Sequence, residues 1–238
     1  MTYEPSILGW MADHLGTPRS WDGPYRHVVT AAFVALTLIG AGLIVRKKLK
    51  DVPARLIPDG RVTLSNLFEL ISEALLRLME DLMGPGAKKH LPFVGALFIY
   101  LLVSDLIGVI PGFFPPTENI NTNLGCAVVV FIYYNYTGIR EQGLKGYLRH
   151  MAGPVIWLAP LLFMVEVVSH VVRPVSLSIR LMGNVAGDHL VVGIFSELMP
   201  FLVPIAFIAL SIFISTMQAF VFTLLSIVYI HLASGDEA

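Results

Sequence analysis

The sequence predicts an all-α integral membrane protein, and three observations carry that prediction. Its 238 residues are 55% hydrophobic and only 14% charged, whereas a soluble domain carries about 25% charged residues; the mean hydropathy is +0.73. Several apolar runs approach or exceed the roughly 20 residues that a helix needs to cross a bilayer. Basic residues then recur between those runs in the alternating way that sets membrane orientation. About five transmembrane helices and one amphipathic surface helix are expected. The net charge of −1 argues against nucleic acid as a partner and leaves the lipid bilayer as the first one. A single cysteine, Cys126, excludes an internal disulfide and reads as a small core residue. No nucleotide loop, metal-ligand cluster or nucleophile constellation is present, so no catalytic residue, metal or cofactor is expected.

Residues 1–27 mix Pro, Gly, Trp and charge, and read as a polar arm with interfacial aromatics. They show no apolar signal-peptide core and no Arg/Ser-rich transit segment. The first apolar run is therefore expected to act as an uncleaved insertion signal, in a bacterial inner membrane. That run, 28–45, is uncharged and ends in Arg46-Lys-Lys-Leu-Lys50. Such a cluster marks the cytoplasmic side, so the N-terminus is expected on the periplasmic side.

A turn-rich connector, Pro53 to Gly60, leads into 62–83, where apolar residues at 64, 67, 68, 71, 74, 75, 78 and 82 oppose Asn66, Glu69, Glu73, Arg77 and Glu80. This is an amphipathic helix, opened by a capping-box-like Asn66…Glu69 pair and stopped at Gly84-Pro85. Too polar to span, it is expected on the cytoplasmic face or against a partner helix. Lys88-Lys89 precede a second span, 90–114, which contains Asp105. The loop from Pro115 to Thr122 has no Lys or Arg and fits the outside. A third span, 123–139, returns to a short cytoplasmic loop with Arg140, Lys145 and Arg149.

Two long apolar segments, 151–197 and 198–233, complete the chain. The first, as one helix, would be roughly 70 Å long, more than twice the bilayer core. Either each segment is one tilted helix, or the first is two spans broken near Pro174. If both are single helices, counting spans puts the C-terminus in the cytoplasm.

From Met151 to Gly235 the only charged residues are Glu166, Arg173, Arg180, Asp188 and Glu197. An ionisable group at membrane depth costs about 2.5–3.5 kcal/mol on insertion scales and marks an ion or proton path. At 100° per residue, Glu166, Ser169, His170, Arg173, Ser176, Arg180, Asn184, Gly187 and Asp188 share an arc of about 120°. A purely structural seam, with Glu166–Arg173 and Arg180–Asp188 satisfying one another, is the alternative; Ser, Gly or Ala would build that more cheaply. His189 falls about 180° from Arg180. A lone histidine is more often structural, yet its titration range suits a proton path. In the last segment Ser211, Ser215 and Gln218 share one face, which could line the partner wall of the seam.

The string Pro174-Val-Ser-Leu-Ser-Ile-Arg180-Leu-Met-Gly-Asn184, with Gln218-Ala-Phe-Val-Phe-Thr-Leu-Leu-Ser-Ile-Val-Tyr229 downstream, closely resembles subunit a of the F-type ATP synthases. Leu106-Ile-Gly-Val-Ile-Pro-Gly112 and the order of elements are also similar to that family. The resemblance covers essentially the whole chain. It implies a stator that forms two proton half-channels beside a rotating ring of c subunits, each with a mid-membrane carboxylate, and next to peripheral-stalk b subunits. It also implies that the last two helices are single and strongly tilted. Arg180 matches the family's essential arginine and Gln218 the glutamine beside it. Asn184 and His189 match positions on the periplasmic access path; Glu166, Ser169, Arg173 and Ser176 match positions toward the cytoplasmic outlet. One position departs: where many members carry His or Glu as the partner of His189, this chain has Ser211, a hydroxyl that does not titrate usefully. Asp188 is one substitute, although it belongs to the other stripe. The rival reading is an independent ion-coupled secondary transporter, which usually shows inverted repeats; none is visible here.

Overall fold

Six α-helices account for most of the described chain, which in this computed structural model comprises residues 26–49, 64–110, 115–152, 159–198 and 202–234. They are α1 (Arg26–Leu49), α2 (Leu64–Met83), α3 (Leu91–Leu106), α4 (Ile120–Ala152), α5 (Ala159–Leu198) and α6 (Leu202–Ser234). No strand occurs among the described residues. The expected arm 1–27, apart from the start of α1, and the connector before α2 lie outside the description.

Four of the helices contain stretches long and apolar enough to cross a membrane: His27–Lys47, Leu91–Val109, Pro160–Gly187 and Ile208–Ser234. The expectation was about five. The segment 123–139 is helical, within α4, but its Asn123, Asn135 and tyrosines, followed by the charged residues from Arg140 on, dilute its apolar character.

α1 covers the run 28–45 with its flanks and touches the rest mainly through α3 and the turn at Pro116–Glu118. Thr30 and Val34 are buried, whereas Leu36, Ile39 and Leu43 stay open to a lipid or protein neighbour. α2 begins at Leu64, so Asn66 lies inside its first turn rather than ahead of it. Its apolar stripe buries Leu75, Met79 and Met83 against α3 and α6. The surface helix thus packs on helices of its own chain. Gly84, at φ +70, ends it in the left-handed region that favours glycine. A 3-10 turn over Gly84–Lys89 follows, and Lys89 makes an ion pair with Glu141 that ties this corner to α4.

α3 is shorter than the expected span 90–114. It stops at Leu106, with a 3-10 turn over Ile107–Val109. At Gly108 a Cβ would sit 2.8 Å from the Pro115 ring, so the glycine allows the chain to double back. The expected outer loop 115–122 is accordingly no open loop. Pro115, Pro116 and Thr117 are buried, the turn Pro116–Glu118 packs on α1, α3 and α5, and α4 already begins at Ile120.

α4 carries one break, at Gly143 (φ 71, ψ 158). That backbone region is essentially closed to other residues. The stretch expected as a short cytoplasmic loop is therefore helical on both sides of a hinge. Beyond it the chain folds back so closely that a Cβ on Gly138 would come 2.7 Å from the Tyr147 ring.

α5 is a single helix of 40 residues, about 60 Å long, with Pro174 inside it. Of the two readings open for this segment, the unbroken one holds. Proline removes one backbone donor, and the Ser178 hydroxyl donates to the Pro174 carbonyl at 2.7 Å, binding the turn that follows. α6 is likewise one helix, of 33 residues. It packs on α3, α4 and α5, and α4 packs on α5. Leu101, Tyr134, Leu181, Phe222, Ile227 and Ile230 form the centre of this four-helix core.

Candidate functional site

The polar stripe of α5 is a continuous feature, but it runs along the rim between two surfaces. One edge faces the bundle: His170 is 9% exposed, and Leu177 and Leu181 beside it are buried. The other edge is open: Ser176, Arg180, Gly183 and Asn184 are all exposed. Helical phase identified the members of the stripe; which edge is covered depends on α4 and α6.

On the covered edge the Arg173 guanidinium donates to Glu166 Oε1 at 3.0 Å. It also lies 5.2 Å from the centre of the Tyr229 ring of α6, in cation–π range. His170 Nδ1 stands 3.2 Å from the same carboxylate oxygen and 3.1 Å from the Glu166 backbone carbonyl. Its Nε2 is 3.1 Å from the Tyr147 hydroxyl, which donates to Asn135 Oδ1 at 2.8 Å. The Glu166–Arg173 half of the structural-seam alternative is thus present. It is joined by His170, a member of the same stripe, and by two residues that were not among the expected site residues, Tyr147 and Asn135.

Two turns further along α5, Arg180 has neither a hydrogen-bond nor an ion-pair partner among the described residues. One turn on, Asn184 Nδ2 donates to Gln218 Oε1 at 2.5 Å, bridging α5 to α6. Gln218 is 4% exposed and its Nε2 has no partner among the described residues. Ser211 and Ser215, on the same face of α6, are also buried. Ser169 is half-buried. Asp188 and His189 continue the α5 backbone, but their side chains lie outside the described residues, so an Arg180–Asp188 pair does as well.

A further polar pocket, near the end of α3, was not anticipated. Asp105, Thr117 and Asn123 are each 3% exposed or less. The Asn123 amide donates to the Thr117 carbonyl at 2.6 Å. The Asp105 oxygens, the Thr117 hydroxyl and Asn123 Oδ1 have no hydrogen-bond partner among the described residues. The signal was in the sequence: an acid inside an apolar span is costly and asks for a reason.

Fold and seam together define a class: helical, polytopic membrane proteins with ionisable groups at membrane depth, built to handle ions or protons. Comparison with known proteins narrows this. The family model described as "ATP synthase A chain" matches residues 28–231. A protein named ATP synthase subunit a from Bdellovibrio bacteriovorus is 42% identical over 213 residues, 90% of this chain and 93% of its own. ATP synthase subunit a 1 of Syntrophotalea carbinolica is 39% identical over 97% of both chains. ATP synthase subunit a of Geobacter sulfurreducens is 43% identical over 86% of this chain and 85% of its own. The chain belongs to the ATP synthase A chain family, as a membrane-sector subunit.

Proposed function

We propose that this chain is the non-catalytic stator that forms the two proton half-channels of a rotary ATP synthase. It passes protons to and from the carboxylates of a rotating c-ring, with Arg180 as barrier and carboxylate partner. The observation that carries this reading is Arg180 itself: exposed on the open edge of α5, without a counter-charge among the described residues. A fixed positive charge on that open edge suits a negative partner from a neighbouring subunit, and a ring carboxylate supplies one.

A titratable group between two half-channels would let protons hop across and dissipate the gradient. A guanidinium stays protonated at any physiological pH. It therefore blocks the shortcut while attracting each arriving carboxylate. The Asn184–Gln218 bridge, with Asp188, His189 and Ser211 beyond it, belongs to the periplasmic access path in this reading. Ser176, Arg173, Ser169 and Glu166 belong to the cytoplasmic outlet. The first part of α4, Ile120–Gln142, is about 34 Å long and serves as the fifth span. The same reading puts the N-terminus in the periplasm and the C-terminus in the cytoplasm of a bacterial inner membrane, with α5 and α6 strongly tilted along the ring and peripheral-stalk b subunits alongside.

The test is Arg180→Lys. A lysine in a desolvated site can lose its proton, so coupled ATP synthesis is expected to be abolished. Near-normal ATP-driven proton pumping in membranes carrying the substitution would overturn the assignment. Co-purification with a carboxylate-bearing ring and an ATPase head separates this function from that of an independent transporter.

A further inference from the structure

The covered edge of the seam contains more hydrogen-bonding information than an ion pair. The Asn135 amide donates through Nδ2 to the Phe131 carbonyl at 2.7 Å, which orients Oδ1 toward Tyr147. An amide oxygen only accepts, so the single Tyr147 hydroxyl proton is committed to Asn135, at 2.8 Å. The Tyr147 oxygen can then only accept from His170 Nε2, at 3.1 Å. On the other side of the ring, Nδ1 faces two acceptors, the Glu166 carbonyl at 3.1 Å and its carboxylate at 3.2 Å. Both ring nitrogens therefore need a hydrogen, and only the imidazolium has two. A neutral His170 satisfies one end and leaves a lone pair facing oxygen at the other. The cluster has two states that differ by one proton and one hydrogen bond.

We propose that His170 is a proton-holding station of the outlet and that Tyr147, clamped by Asn135, is the positioning residue that favours its charged form. The inference rests on the half-channel reading above. In the transfer, a protonated Glu166 gives its proton to Nδ1 of a neutral His170 carrying Nε2–H; carboxylate and imidazolium result, and the reverse step reloads Glu166. The Glu166 side chain is 35% exposed and the His170 side chain 11%, so Glu166 is the group that meets water and His170 the store behind it. The charged and titratable groups around the ring are Glu166 and Arg173 of α5, Tyr134 and Tyr147 of α4, and Tyr229 of α6 beneath Arg173. Glu166 favours the second positive charge, and Arg173 opposes it.

The experiment is passive proton conduction in inverted membrane vesicles stripped of the soluble head. A potassium diffusion potential drives it, and a pH-sensitive dye follows it from pH 5 to 8.5. Wild-type conduction is expected to bend between about pH 5 and 8, where imidazoles change charge. His170→Gln should remove the bend and slow conduction by roughly tenfold, a modest share of what positioned proton transfer contributes. Tyr147→Phe should keep the bend but move it down by about 0.5–1 pH unit, as expected for one lost hydrogen bond to the charged form. A His170→Gln profile superimposable on wild type, at equal co-purification with the ring, overturns the proposal. If that variant does not assemble, an unshifted Tyr147→Phe bend overturns it. Wild-type vesicles that conduct no protons refute the half-channel function itself, a separate result.

Discussion

The bridge from α5 to α6 permits a sharp energetic test. Asn184 is exposed, Gln218 is 4% exposed, and they share a 2.5 Å hydrogen bond. Asn184→Leu leaves Gln218 Oε1 buried without its donor, beside an Nε2 that has no acceptor among the described residues. An orphaned buried group costs about 1–3 kcal/mol. Gln218→Leu costs less, about 0.5–1.5 kcal/mol, because Asn184 on the open edge can turn to water or another subunit. Replacing both with leucine removes donor and acceptor together, which can be nearly neutral. The coupling then equals the sum of the singles, whose lower bound of about 1.5 kcal/mol lies within the range of up to about 1.7 kcal/mol for interhelical hydrogen bonds in membranes. The assay is retention of the chain in the detergent-solubilised complex across an SDS titration, for both singles and the double. A double variant whose loss equals the sum of the singles, to within about 0.3 kcal/mol, would refute the bridge.

Two further perturbations separate structure from decoration. Gly143→Ala forces a Cβ into φ 71, ψ 158, at a cost on the order of 1–3 kcal/mol. It should lower the melting temperature of the assembled complex, and an unchanged value would show that the hinge is not needed. Glu141→Ala breaks the pair with Lys89, whose side chain is 60% exposed; such pairs contribute at most about 1 kcal/mol. No measurable change in pumping is expected, and a tenfold loss would contradict the solvated reading of that corner.

What was legible in the sequence followed from one-dimensional chemistry. Hydropathy located α1 and α6, and periodicity located α2, because apolar length and phase are local properties. Phase also grouped Glu166, Arg173 and Arg180 on one stripe. The depth of each edge was not legible, since it is set by Tyr134, Tyr147 and Gln218 arriving from helices distant in sequence. Pro174 left two readings open because proline is tolerated in membrane helices when neighbouring groups re-satisfy the backbone. Pro115–Thr122 looked like an ordinary polar loop, since nothing local says that Gly108 lets it fold back and bury. Tyr147 was missed for a similar reason: its placement depends on the positive φ of Gly143, which sat inside a charged stretch resembling a loop.

The rim position of the stripe explains how one helix can hold two kinds of charge. At 100° per residue, Arg180 and His170 are about 80° apart around α5, enough to place one on the open face and the other under α4. When protonated, His170 is met by acceptors from its own chain, so its charge is compensated wherever the subunit goes. Arg180 has no such compensation among the described residues, and in bare lipid it would cost about 2.5–3.5 kcal/mol on insertion scales. That cost falls when a partner with a negative charge covers the open face. In the proposed function the rotating ring does this repeatedly, with a new carboxylate at each step. An internal counter-ion for Arg180 would make the isolated chain more comfortable in the bilayer, and it would also compete with every arriving carboxylate. An arginine on the open face without a counter-charge among the described residues is thus better understood as a requirement of turnover than as a defect of folding.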